Sequence, residues 1–258
     1  MWIRLRQIAL VAQSLAPVVD DLRATFGVEV CFSDPGVATF GLENALLPFG
    51  NQFVEIVAPV QEGTAGGRYL ERRGGDGGYM VITQCDDHAP RRSRVAEVGV
   101  RIAYQFSTHE YHCMQLHPKD TGGSFLEIDE QTGPGAHDVD GPWEPAGPDW
   151  KRGQRLEFVR AIAAAEVQAD DPAELAARWA AITGSPLSTD ASGRPTVAFD
   201  NAAVRFVPCT DGRPEGLGGI DVAVVDVAAV RSRAEARGLL GADGLVHIGG
   251  MRIALVSA

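Results

Sequence analysis

Two glutamates hold matching places in this 258-residue chain: Glu55 in Phe53-Val54-Glu55-Ile56 and Glu127 in Phe125-Leu126-Glu127-Ile128. A shift of 72 residues carries one onto the other. The same ungapped shift lays Gln7-Ile8-Ala9-Leu10 over Tyr79-Met80-Val81-Ile82, and Gly27-Val28-Glu29-Val30 over Gly99-Val100-Arg101-Ile102. It also lays Gly50 over Gly122. Two carboxylates that share one hollow repel each other, so at least one keeps its proton to higher pH; such a group shuttles protons or calls for a cation. A strand alternates its faces, so each glutamate also reads as an outward-facing residue of a half-exposed sheet.

The elements that must position these residues repeat with them. Each copy opens with a short β-prone segment, runs into a helical stretch stopped by Gly27 or Gly99, and continues with three strands. Turns fall at Asp34-Pro35-Gly36, at Leu47-Pro48-Phe49-Gly50 and, in the second copy, at Pro118 to Gly123. The module is β-α-β-β-β. A Gly-rich connector from Gly63 to Gly78 reads as a flexible surface linker, since no strand feeds a Gly-x-Gly-x-x-Gly turn there. A second connector, Gly133 to Gly153, is rich in Pro and Gly, and its Trp143 and Trp150 are expected to pin it to a domain surface.

The pattern then resumes. Ile162 to Ala169 reads as a strand, Asp171-Pro172-Ala173-Glu174 opens a helix that ends at Gly184, and strands follow at Val197 to Phe199 and Val204 to Val207. Ile220 to Val225, a helix over Val227 to Arg237, and strands at Val246 to Ile248 and Arg252 to Val256 form a shortened fourth copy. The expected layout is an N-terminal domain over 1–132 (modules 1–62 and 77–132), a linker over 133–153 and a C-terminal domain over 154–258. Counting back 20 residues from Gly184 and Gly238 puts Ala164 and Gly218 in the opening positions, with Arg205 and Ala254 in the closing ones. The C-terminal pair therefore reads as a degenerate copy serving as support.

Composition narrows the partners. With 34 acidic against 23 basic side chains and a net charge of −11, the chain lacks the clustered cations that phosphate neutralisation needs, so no nucleic-acid partner is expected. The one dense basic group, Arg91, Arg92 and Arg94, reads as a solvated helix start beside Asp86 and Asp87. The apolar stretch Ile8 to Val19 is too short and too interrupted to span a membrane. Four scattered cysteines without a C-x-x-C pair favour reduced thiols and a cytoplasmic setting. His109, His112 and His117 precede Glu127, and hairpin register decides which of them faces inward; His88 and His247 read as structural or solvated.

The segments Leu5 to Val11, Gly27, Phe53 to Pro59 and Gly122 to Ile128 resemble the vicinal oxygen chelate superfamily, which includes glyoxalase I, methylmalonyl-CoA epimerase, extradiol dioxygenases and bleomycin-resistance proteins. The resemblance implies an α+β fold, with four βαβββ modules paired into two cupped eight-stranded mixed sheets. It implies a metal site on the first and last strand of each module, at Gln7, Glu55, Tyr79 and Glu127. Gln7, Glu55 and Glu127 would offer oxygens to a divalent cation such as Zn²⁺, Mg²⁺ or Mn²⁺, while the neutral phenol of Tyr79 is a poor ligand. Two readings of function stay open. One is a metal-assisted isomerase or lyase on a small oxygenated substrate, with Glu127 as base alpha to a carbonyl and with Glu55 and Tyr79 beside it. The other is an antibiotic- or metabolite-binding protein. Phe53, Phe125, His112 and Phe40 are the expected substrate-lining residues, and the chain is expected to be a monomer or homodimer.

Overall fold

The computed structural model describes residues 1–258. In chain order the elements are β1 (Ile3–Val11), α1 (Leu15–Phe26), β2 (Leu42–Phe49), β3 (Gln52–Pro59), α2 (Ala65–Arg73), β4 (Gly77–Cys85), α3 (His88–Glu97), β5 (Ile102–Ser107), β6 (Tyr111–Leu116) and β7 (Phe125–Gln131). After the second connector come β8 (Val159–Ala169), α4 (Pro172–Thr183), β9 (Leu187–Thr189), β10 (Pro195–Ala198), β11 (Ala203–Pro208), β12 (Gly216–Val224), α5 (Val227–Ala236), β13 (Val246–Ile248) and β14 (Met251–Ser257). The strands form two mixed sheets, in the orders β2-β3-β1-β4-β7-β6-β5 and β13-β14-β12-β8-β11-β10-β9.

Each sheet has seven strands where eight were expected. In the first module the missing strand shrinks to one bridge, Phe32 to Leu46, because Asp34 caps a 3-10 turn over Pro35–Phe40 and ends the extended run. In the last module only the bridge Leu240 to Val246 remains of the corresponding strand. The helix stops are where the glycines put them: Gly27, Gly99, Gly184 and Gly238 all adopt positive φ. At the start of α4, Asp171 accepts the amides of Ala173 and Glu174, with Pro172 in the first turn.

Packing groups the chain differently from the sheets. One compact unit comprises Met1–Gln7, Met80–Glu144 and Ala164–Leu217; the other comprises Ile8–Tyr79, Pro145–Ala163 and Gly218–Ala258. In the first unit, Asn201 holds the Leu5 backbone with both ends of its amide (2.8 and 3.0 Å), and Trp179 packs edge-on against Phe206 while donating to the Thr121 carbonyl. In the second, Gln52 exchanges two hydrogen bonds with the Ile162 backbone (2.9 and 2.7 Å), α1 packs on α5, and Arg237 reaches Asp21.

Two local expectations are corrected. The Gly63–Gly78 segment contains the helix α2, not a flexible linker. Thr64 caps it by accepting the Gly67 amide, and Tyr69, Leu70 and Arg73 form its buried side. Gly66 is small because it sits against Leu42 and Val11. Arg91 is not solvated either: it is buried, donates to the carbonyls of Thr183 and Trp2, and lies 3.8 Å from Asp86. No helix is long and apolar enough to cross a membrane.

Candidate active site

The strand β7 sorts its side chains by parity. Glu130 accepts the backbone amide of His88 at the start of α3, and His112, paired with Glu130 across β6 and β7, stacks on the His88 ring. These residues face α3. The opposite face of β7 carries Phe125, Glu127, Asp129 and Gln131, and β6 adds Tyr111, Cys113 and Gln115 to it. His112, expected among the lining residues, is thus on the other face from Glu127, because hairpin register gives the inward places to Tyr111, Cys113 and Gln115.

Glu127 and Asp129 form a buried acid pair. The Tyr111 hydroxyl donates to Asp129 Oδ2 at 2.5 Å, and the Met114 amide to Oδ1 at 3.3 Å. Glu127 is 5% exposed, and its Oε2 is buried without a hydrogen-bond partner. Burial pushes the Glu127 carboxyl up, and burial together with the Glu127 charge pushes Asp129 well above the usual carboxylate range. Cys113 joins them: its sulfur and the two carboxylates bring ligand atoms within 4.8 Å of one another, and burial drives its thiol far up. Acids raised on folding add stability below their unfolded pKa, near ~4, and lose it as pH rises through the folded value. The Asp129→Asn variant should therefore melt higher than the parent at pH 8, with the gap closing toward pH 4; a series of melting curves across that range checks it.

The connector covers this face. Arg4 donates to the carbonyls of Ala136 and Asp138 (3.4 and 2.9 Å), Arg6 to those of Val139 and Gly141 (3.0 and 2.9 Å), and Gln84 to that of Ala136. Burial lowers the Arg6 pKa to about 9. Trp143 is 1% exposed, meets Tyr111 edge-on at 5.5 Å and donates its indole N–H to Gln7 Oε1 at 2.9 Å. In the second unit the buried Trp150 meets Phe53 edge-on at 5.2 Å. There Asn44 donates to Glu55 Oε1 at 2.6 Å, and Tyr79 packs edge-on against Tyr69. Burial pushes the Tyr79 phenol up to about 12. Phe40 is exposed on its 3-10 turn, and Phe125 is half-buried.

These contacts decide how well a divalent ion fits the donors that the resemblance implies. Gln7 Oε1 takes an indole N–H, Glu55 Oε1 an amide N–H, and Tyr79 stays neutral through physiological pH. Cys113, Glu127 and Asp129 gather tightly enough for a small cation, with both Asp129 oxygens accepting hydrogen bonds. No chemical step is derived through an ion.

The family model for the Glyoxalase-like domain matches residues 8–183. The chain belongs to that family. A curated relative of this glyoxalase-like protein is the ethylmalonyl-CoA/methylmalonyl-CoA epimerase of Cereibacter sphaeroides, 24% identical over 131 residues that make up 49% of this chain and 97% of the relative. Among solved structures, a mutant of 4-hydroxymandelate synthase from Streptomyces coelicolor covers 91% of this chain and 75% of its own, at 13% identity and a TM-score of 0.63. It shares the fold. Streptomyces coelicolor methylmalonyl-CoA epimerase in complex with 2-nitronate-propionyl-CoA is 22% identical and covers 52% of this chain and 100% of its own, with a TM-score of 0.46. The vicinal oxygen chelate resemblance and the two mixed sheets both stand. In the C-terminal half of this family member, Arg205 is held by Glu166 at 3.0 Å across the parallel strands β8 and β11.

Sequence reasoning missed Asp129, Cys113, Tyr111 and Gln115. Asp129 left a signal, since the second residue beyond Glu127 on a strand must share its face. The three β6 residues required the hairpin register.

Proposed function

We propose that this glyoxalase-like protein is an isomerase-type enzyme that moves a proton alpha to a carbonyl in a small molecule, with Glu127 as the base. The observation that carries the reading is the acid pair: a buried carboxyl with one unpartnered oxygen and a raised pKa is a stronger base than a solvated glutamate. In the proposed step Glu127 takes the α-proton and holds it while the C–H electrons move onto the carbonyl oxygen as an enolate. Return of the proton to the carbon completes the exchange. Asp129, held by Tyr111, is a positioning residue that keeps the Glu127 carboxyl in place. Gln7, tied through the Trp143 indole to Tyr111, is assigned to the same reaction as a polar partner of the enolate. The Cereibacter sphaeroides relative, by name an ethylmalonyl-CoA/methylmalonyl-CoA epimerase, supports the reaction class.

Exchange of α-hydrogens of a ketone for deuterium in heavy water, followed by proton NMR, tests the reading. The parent protein should accelerate exchange, and chelator should leave the rate unchanged. Glu127→Gln should lower the rate by a factor on the order of 10² to 10⁴, the range general-base removal produces, with a melting temperature no lower than the parent's. An unchanged rate in that variant overturns the assignment.

A further inference from the structure

Two large aromatic side chains stay exposed at the end of the row that leads to the acid pair. Tyr104 and Phe106 on the edge strand β5 are each 39% exposed. Tyr104 pairs with Gln115 across β5 and β6, and Gln115 pairs with Glu127 across β6 and β7. Phe106 pairs with Cys113. Directly opposed residues of antiparallel strands share a face, so Tyr104, Gln115 and Glu127 lie in one line. Ile102 falls outside it: an irregularity between Ile102 and Tyr104 shifts the register and pairs Ile102 with Leu116. The rings touch in sequence, Tyr104 to Phe106 at 5.8 Å, Phe106 to Tyr111 at 5.7 Å, and Tyr111 to the buried Trp143 at 5.5 Å.

We infer that Tyr104 and Phe106 form the substrate-binding platform of this site, and that its ligand carries an aryl or comparably flat apolar group separated from the reacting carbonyl. This rests on the reading of Glu127 as the base and adds the class of substrate. Strand spacing sets the separation: two strand steps of ~5 Å put the platform about 10 Å from the Glu127 Cα row. The connector, tied down by Arg4, Arg6 and Gln7, leaves the β5 side as the exposed end of this face. An edge strand bearing two half-exposed rings is a liability that charge ordinarily blunts, and here the intervening residue is only Gln105.

The probes are 5-phenyl-2-pentanone and 2-pentanone, read by saturation-transfer NMR on the unmodified protein. The ring protons of the aryl ketone should take up saturation, and its dissociation constant should be at least about tenfold below that of 2-pentanone, as burial of one ring predicts. A Tyr104→Ser, Phe106→Ser double variant should bring the two ketones to equal affinity. Glu127→Gln should leave ring saturation intact while exchange is lost, which separates this inference from the catalytic one. Equal affinity for the two ketones in the parent, or unchanged ring saturation in the double variant, overturns the platform. A parent dimer that the double variant dissociates to monomers, measured by sedimentation, also overturns it by making the patch a contact between copies.

Discussion

Replacing Gly50 with alanine should remove more than about 4 kcal/mol of stability, within reach of the whole ~5–15 kcal/mol that holds a typical domain. Gly50 turns the chain between β2 and β3 with φ +72°, and a Cβ there would overlap the Arg160 carbonyl oxygen. Two costs therefore add: the left-handed backbone, and a steric clash with main chain that no rotamer change relieves. Gly63 separates them. It has φ +73° and nothing within 4 Å of a built Cβ, so Gly63→Ala should cost only the conformational part, about 1 kcal/mol. Denaturant midpoints for the pair measure the clash as the difference. Similar losses in the two variants would show that the contact with Arg160 is not needed.

Trp143→Ala should cost about 3–5 kcal/mol, the usual range for a large aromatic deleted from a packed interior. The indole is wholly buried, meets Tyr111 edge-on and supplies the hydrogen bond to Gln7. Trp143→Phe keeps most of the apolar contact and removes only the N–H, so it should lose about 1–2 kcal/mol. If the connector owes its place to this side chain, limited proteolysis of the alanine variant should cut first between residues 133 and 153. A cleavage pattern identical to the parent's would assign the anchoring to the other connector contacts, those of Arg4, Arg6 and Gln84.

The periodic skeleton was legible in the amino-acid order, because glycine marks the helix stops and turns of each repeat. Gly27, Gly99, Gly50 and Gly122 all take the positive φ that their repeat positions imply. Segments whose stability comes from distant partners were not legible. The helix α2 hid behind the seven glycines of the 63–78 segment, since its stability lies in the Thr64 cap and in Tyr69 and Leu70 packing inward. Arg91 looked like surface charge because its acceptors, the carbonyls of Trp2 and Thr183, are 89 and 92 residues away. In the candidate site the order of residues pointed at Glu127 but not at its companions. Which hydroxyl, thiol and amide stand beside it follows from how β6 lies against β7, a register that local patterning leaves undetermined.

The membership of the two compact units bears on how the chain folds as it leaves the ribosome. The first unit needs residues 1–7 together with 164–217, and the second needs 8–79 together with 218–258. Neither can close on the nascent N-terminal half. The first sheet has all its strands by Gln131, but at a usual ~5–20 residues per second it waits many seconds for the packing partners that come after residue 163. During that interval its apolar surface stays uncovered, so holdase chaperones should associate with ribosomes stalled near residue 150 and depart once the final strand emerges.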